Sequence, residues 1–172
     1  EDGIRDSEAC LEFRRVLFRS SIHAPGVSLI VLPAFAVAGY DGAVAMMILI
    51  AALAAWLTWR LAHRVSNSRA GAWMGTAAVF ATAPYFFHTF TIYPEIIGSL
   101  CLLCGVWLLV SLDAHDRVPL RALTGAGLAL AVLPWLHTRF AVLAGLLGLL
   151  VVARLAAQPS AGRRIAAFLG VP

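Results

Sequence analysis

Glu95 is the one glutamate in the chain beyond position 12, and it follows Pro94 at what reads as the first turn of an apolar helix. The positive end of the helix macrodipole favours a carboxylate there. An acid at the edge of a membrane is costly to desolvate and marks a functional group by default, while helix N-termini attract acids as simple caps. Both readings stand. Tyr93 and Pro94 lead into it. A second cluster, Trp135-Leu136-His137-Thr138-Arg139, is a polar bend between two apolar runs. Arg139 offers a forked donor set that matches phosphate or carboxylate. The bland alternative is an interfacial anchor, with Trp135 and Arg139 reaching toward head groups. A third cluster, His23-Ala24-Pro25-Gly26, is a turn whose imidazole suits an anionic head group or a proton relay. His88 is a fourth polar side chain near the same end, while His63 and His115 read as solvated on the other. No two of these groups have the i, i+4 spacing of helical metal ligands, so neither a metal nor another cofactor is expected.

The elements that position these clusters follow from composition and charge. The chain of 172 residues is 61% hydrophobic and 13% charged, with a mean hydropathy of +0.86. A soluble domain needs more charge than that to cover its surface, which makes this a membrane protein. All thirteen basic residues are Arg, a bias that fits high-GC codon usage. The pI near 9.5 requires no nucleic-acid partner, since no stretch interleaves basic and aromatic residues as a nucleic-acid surface does. Arg60, Arg64 and Arg69 fall between one pair of apolar runs, Arg117 and Arg121 between another, and Arg154, Arg163 and Arg164 between a third. Cationic loops stay cytoplasmic, so the alternation assigns the His23, Tyr93–Glu95 and His137–Arg139 clusters to one outward face.

The apolar runs predict an all-α, polytopic transmembrane helical bundle with about five full crossings plus one short and one truncated helix. Val27 to Gly39, with Pro33 in its middle, is too short to span and suits an interfacial or re-entrant segment. Tyr40-Asp41-Gly42 is a turn, and residues 43 to about 61 cross. Residues 70 to about 90 cross back, with Pro84 kinking the far end. Pro94 opens a crossing to about Leu112, since a proline is tolerated where helical N–H groups lack partners. Residues 121–136 and 139 to about 157 form a tight hairpin, and a further helix starts at Ile165. Cys101 and Cys104, one helical turn apart in an apolar run, read as small packing residues.

The first twenty residues differ from the rest. They hold five acids (Glu1, Asp2, Asp6, Glu8, Glu12) and four arginines, and lack the order of a signal peptide. The run from Cys10 to Ser20 resembles translated sequencing-adaptor sequence. The expected organisation is therefore a non-native leader at 1–20 and a partial transmembrane domain at 21–172.

From Ile22 to Ala157 the order of features resembles the membrane domain of GT-C glycosyltransferases of the protein-mannosyltransferase or aminoarabinose-transferase type. The features are a His/Asn-x-Pro-type motif before a short apolar segment (His23-Ala24-Pro25-Gly26), a Gly-containing turn, an Arg-ended helix, a helix closing in Ala83-Pro84, and the acid-bearing start at Glu95. The bend from Trp135 to Arg139 is similar to a motif of some bacterial members. The resemblance implies an enzyme of the bacterial inner membrane, multi-pass, which moves a sugar from a polyprenyl-phosphate-linked donor to an acceptor at the outer face. It places the catalytic acid ahead of His23, where the leader stands, and leaves His23, Tyr93, Glu95, His137 and Arg139 as substrate-binding candidates. The competing class is non-enzymatic: a transporter or structural membrane subunit.

Overall fold

A computed structural model describes residues 25–114 and 118–170. Among them it has seven helices and no strand: α1 (Gly26–Ser66), α2 (Arg69–Phe80), α3 (Ala83–Thr89), α4 (Pro94–Asp113), α5 (Leu120–Leu136), α6 (Arg139–Ala156) and α7 (Ala161–Leu169). The fold is all-α, and three helices, α1, α4 and α6, are long and apolar enough to cross a membrane. The expectations for residues 1–20, His23, His115 and Arg117 lie outside the described residues.

α1 contains both the short segment and the first crossing, joined through a break at Ala38 (φ −136°, ψ 22°) and Gly39 (φ 61°, ψ −145°). The positive φ at Gly39 is open to glycine and strained for other residues. The bend is sharp. A Cβ on Gly42 would collide with the Ala34 carbonyl, two positions that a straight helix holds about 12 Å apart. The expected turn at 40–42 therefore exists, displaced to 38–39 because Gly39 can adopt the conformation and Tyr40 and Asp41 cannot do so as cheaply. The arm after the break is about 40 Å long, enough to cross a bilayer core.

The expected crossing from 70 to 90 is divided. α2 starts at a Ser68 cap, whose side chain accepts from Gly71 N–H at 3.2 Å, and stops at Phe80. A continuous helix would press the Pro84 ring on the Phe80 carbonyl and cancel its hydrogen bond. The chain extends at Thr82 (φ −73°, ψ 141°) and restarts as α3 with Pro84 in its first turn. With twelve and seven residues, neither piece can cross alone. α5 is apolar but only 17 residues long. About five full crossings were expected, and three helices meet the length. α7 begins before Ile165, so Arg163 and Arg164 belong to a helix and not to a loop.

α4 is the centre of the bundle, packed against α1, α3, α5 and α6. Small residues let the others approach. A Cβ on Gly98 would lie 3.0 Å from the Phe140 ring, and one on Gly105 would meet Leu147 at 2.6 Å and Leu130 at 2.9 Å. Close approach at small residues is how helices associate where lipid supplies no hydrophobic drive. The buried faces have helical periods: Ala43, Met47, Ile50, Ala54 and Leu57 on α1, and Leu123, Ala126, Leu130 and Leu133 on α5. Outside this seam the surface is apolar as well. Val37, Met74, Val142 and Leu149 are each 70% exposed or more, a pattern that suits contact with lipid.

The packing also sorts charge. Arg60 and Arg64, in the last turns of α1, lie over the Trp107 ring of α4, and Arg154 at the end of α6 pairs with Asp113 at 2.7 Å. One end of the bundle is thus rich in arginine. The other end holds the starts of α4 and α6.

Candidate functional site

Arg139 is the first residue of α6 and Glu95 the second of α4, and the packing of these helices brings the two side chains together. Arg139 Nη2 donates to Glu95 Oε1. The charges are not equivalent in their helices. A carboxylate in a first turn is favoured by the macrodipole, whereas a guanidinium at an N-terminus opposes it. Arg139 is therefore held by its partners and not by its helix: Glu95 on one side, and the Phe140 ring, 5.2 Å from its Cζ, on the other. Phe140 in turn fills the space left by Gly98, one turn below Glu95.

His137 completes the bend. It is extended (φ −165°, ψ 140°), and its Nδ1 accepts from the Arg139 backbone N–H at 3.2 Å. Thr138 at the cap position is helical and gives no side-chain cap, so the imidazole supplies the acceptor that the first turn of α6 needs. With Nδ1 turned to the backbone, Nε2 is the ring nitrogen left for another partner.

Glu95 uses one oxygen for Arg139. The other, Oε2, is buried and without a hydrogen-bond partner among the described residues. Glu95 lines a cavity of about 330 Å³ together with Thr82, Tyr85, His88 and Ser99. The Tyr85 hydroxyl is buried in the same wall, beside the Ser99 hydroxyl. Ser99 is spent on its own helix, donating to the Glu95 carbonyl at 2.7 Å. A second cavity of about 270 Å³ shares Val79, Tyr85 and Ser99 as walls and continues inward to Thr58 and Leu103. Both spaces are walled mainly by apolar atoms, with Thr82, His88 and Glu95 at the outer one and Thr58 and Leu103 at the inner one. A carboxylate oxygen left open suits a hydroxyl-bearing ligand, because it loses water on folding and regains nothing from the described residues.

Of the sequence candidates, Glu95, His137 and Arg139 form one connected group. Tyr93 joins indirectly: its ring lies 5.4 Å from that of His88, which lines the Glu95 cavity. His23 is outside the described residues, yet its cluster ends at Gly26, where a Cβ would collide with the Trp135 carbonyl. The start of α1 therefore lies against the end of α5, beside the His137 bend. Tyr85 and Ser99 escaped the sequence reading. Ser99 stands at i+4 from Glu95, a spacing that puts both on one helix face, and that was the available signal. Tyr85 stands between Pro84 and two phenylalanines, where an aromatic residue reads as an interfacial ring.

Compared with models of known protein families, with characterised proteins and with solved structures, the chain matches none, and the geometry of the Glu95 cavity carries its own argument.

Proposed function

We propose that the chain is part of an integral membrane glycosyltransferase of the bacterial inner membrane that moves a sugar from a polyprenyl-phosphate-linked donor to an acceptor at the outer face. The observation that supports this reading is the Glu95–Arg139 pair, whose carboxylate partner lines a mainly apolar cavity that continues inward past Tyr85. Sugar hydroxyls pair with carboxylates, and a guanidinium stabilises the phosphate that departs when the sugar is transferred. Glu95 and Tyr85 are the groups for the sugar or acceptor, Arg139 and Nε2 of His137 those for the phosphate. The base that activates the acceptor belongs to the stretch ahead of His23 in this reading.

The test is genetic and chemical together. Glu95→Gln and Arg139→Ala, placed at the native locus, are expected to lower glycan modification of the cell envelope about a hundredfold or more. The amount of protein in the membrane fraction should stay unchanged. Unmodified glycan levels in both variants would remove these residues from the reaction.

One observation favours a second reading. α1 is broken at Ala38–Gly39 and the α2–α3 segment at Ala81–Thr82, and interrupted helices around a polar site are a feature of transporters. Loss of solute uptake in Glu95→Gln with normal envelope glycan would select it.

A further inference from the structure

The arginine-rich end of the bundle holds a separate groove, about 470 Å³, between α1, α4 and α5. Its walls are Trp56, Leu57, Cys104, Leu108 and Ala126, and its mouth carries Arg64 and Val118. From Ser111 at the mouth to Cys104 inside, the groove runs about 10 Å along α4. We infer that this groove binds an anionic phospholipid of the surrounding leaflet, with its phosphate among Arg60, Arg64 and Arg164 and an acyl chain against Leu57, Leu108 and Ala126.

Three observations lead there. First, one cation lines the groove, Arg64, and two more contact residues that line it, Arg60 at Trp107 and Arg164 at Val118. The Arg60 and Arg64 guanidinium groups each lie 5.4 Å from the centre of the Trp107 ring. Arg164 of α7 reaches in from the other side, its Nη2 donating to the Val118 carbonyl at 3.5 Å. Like charges gathered at one place raise the potential there and call for an anion. Second, Arg164 Nε is buried and has no partner among the described residues. A buried guanidinium N–H left without an acceptor is costly, and a phosphate oxygen at the mouth would satisfy it. A guanidinium stacked on an indole still directs its N–H groups in its own plane, toward such an oxygen. Third, the interior behind these cations is apolar, and Trp56 and Trp107 flank the mouth as rings do at the boundary between head groups and tails. A polar solute would match the mouth and not the interior. A neutral lipid would match the interior and not the mouth.

The experiment uses the full chain, purified in detergent, delipidated and titrated with phosphatidylglycerol or phosphatidylcholine, with retained lipid read by native mass spectrometry. Phosphatidylglycerol is expected to be held roughly tenfold more tightly. The double variant Arg64→Gln/Arg164→Gln should reduce that to the phosphatidylcholine level, and Arg64→Lys/Arg164→Lys should keep most of it. Gly125 lines the groove and a Cβ there meets nothing within 4 Å, so Gly125→Leu fills the groove without disturbing the backbone. It should weaken both lipids, and it carries the test if the glutamine variant fails to fold. Equal retention of the two lipids overturns the proposal. So does phosphatidylglycerol binding that survives Gly125→Leu.

Discussion

His137 does two things with one ring. Its Nδ1 caps α6 by accepting from the Arg139 N–H, and that cap fixes where Arg139 begins its reach toward Glu95. An asparagine can present an amide oxygen at a similar place, whereas alanine leaves the N–H without an acceptor. His137→Ala is expected to destabilise by about 1 kcal/mol, with His137→Asn recovering most of the loss. Thermal unfolding of the detergent-solubilised protein distinguishes them, and equal losses would show that the imidazole is no cap. The sequence displayed Glu95 and Arg139 as polar residues at two helix starts on one face. It did not display their contact, because residues 44 positions apart meet only through the packing of α4 on α6. Tyr85 was illegible for a related reason: whether a phenol in an aromatic run faces a cavity or lipid depends on the turn at Thr82, which no local pattern states.

At the scale of elements, the same glycine chemistry has opposite consequences within α5. Gly125 is open on its Cβ side, while a Cβ on Gly127 would collide with the Phe168 carbonyl of α7. Gly125→Ala should stabilise by about 0.5–1 kcal/mol through helix propensity alone. Gly127→Ala should push α7 off α5, also straining the Thr124 hydroxyl bond to the Ala167 carbonyl at 2.9 Å. Limited proteolysis after Ala157 reports the difference: faster cleavage is expected for Gly127→Ala alone, and equal rates would mean α7 is not docked as described. Helix existence was legible throughout from apolar length, and helix starts were legible where Pro94 and Arg139 mark them. Breaks were less so. Gly39 moved a turn by two residues because its positive φ is a backbone property, and Pro84 cut a crossing at Phe80 because its ring acts four residues upstream. The start of α7 is legible only to within a turn, four residues before the expected Ile165, because no proline or apolar onset marks Ala161.

For the whole molecule, the decisive question is how the divided α2–α3 segment relates to the membrane. α1 ends beside the Trp107 half of α4, as the stacking of Arg60 and Arg64 shows, while Pro94 begins α4 at the opposite end. Residues 69–89 therefore join the two ends of the bundle, even though α2 and α3 measure only about 18 Å and 10 Å. Taken in series they nearly equal the 30 Å core that α4 matches in one piece. The break at Thr82 is tolerable at such depth only where it faces protein or lines a cavity, and Thr82 does line the Glu95 cavity. In the outer-face reading proposed above, the arginine bias puts the Arg60–Arg64 end on the cytoplasmic side. Ala70→Cys and Thr91→Cys, each in a chain whose native cysteines are replaced, test both statements with a membrane-impermeant thiol reagent. Thr91→Cys should be labelled in intact cells and Ala70→Cys only after permeabilisation. Labelling of both from outside would mean that α2 and α3 lie along the surface. The reversed pattern would place the Glu95 cavity in the cytoplasm, where an outer-face transfer cannot use it.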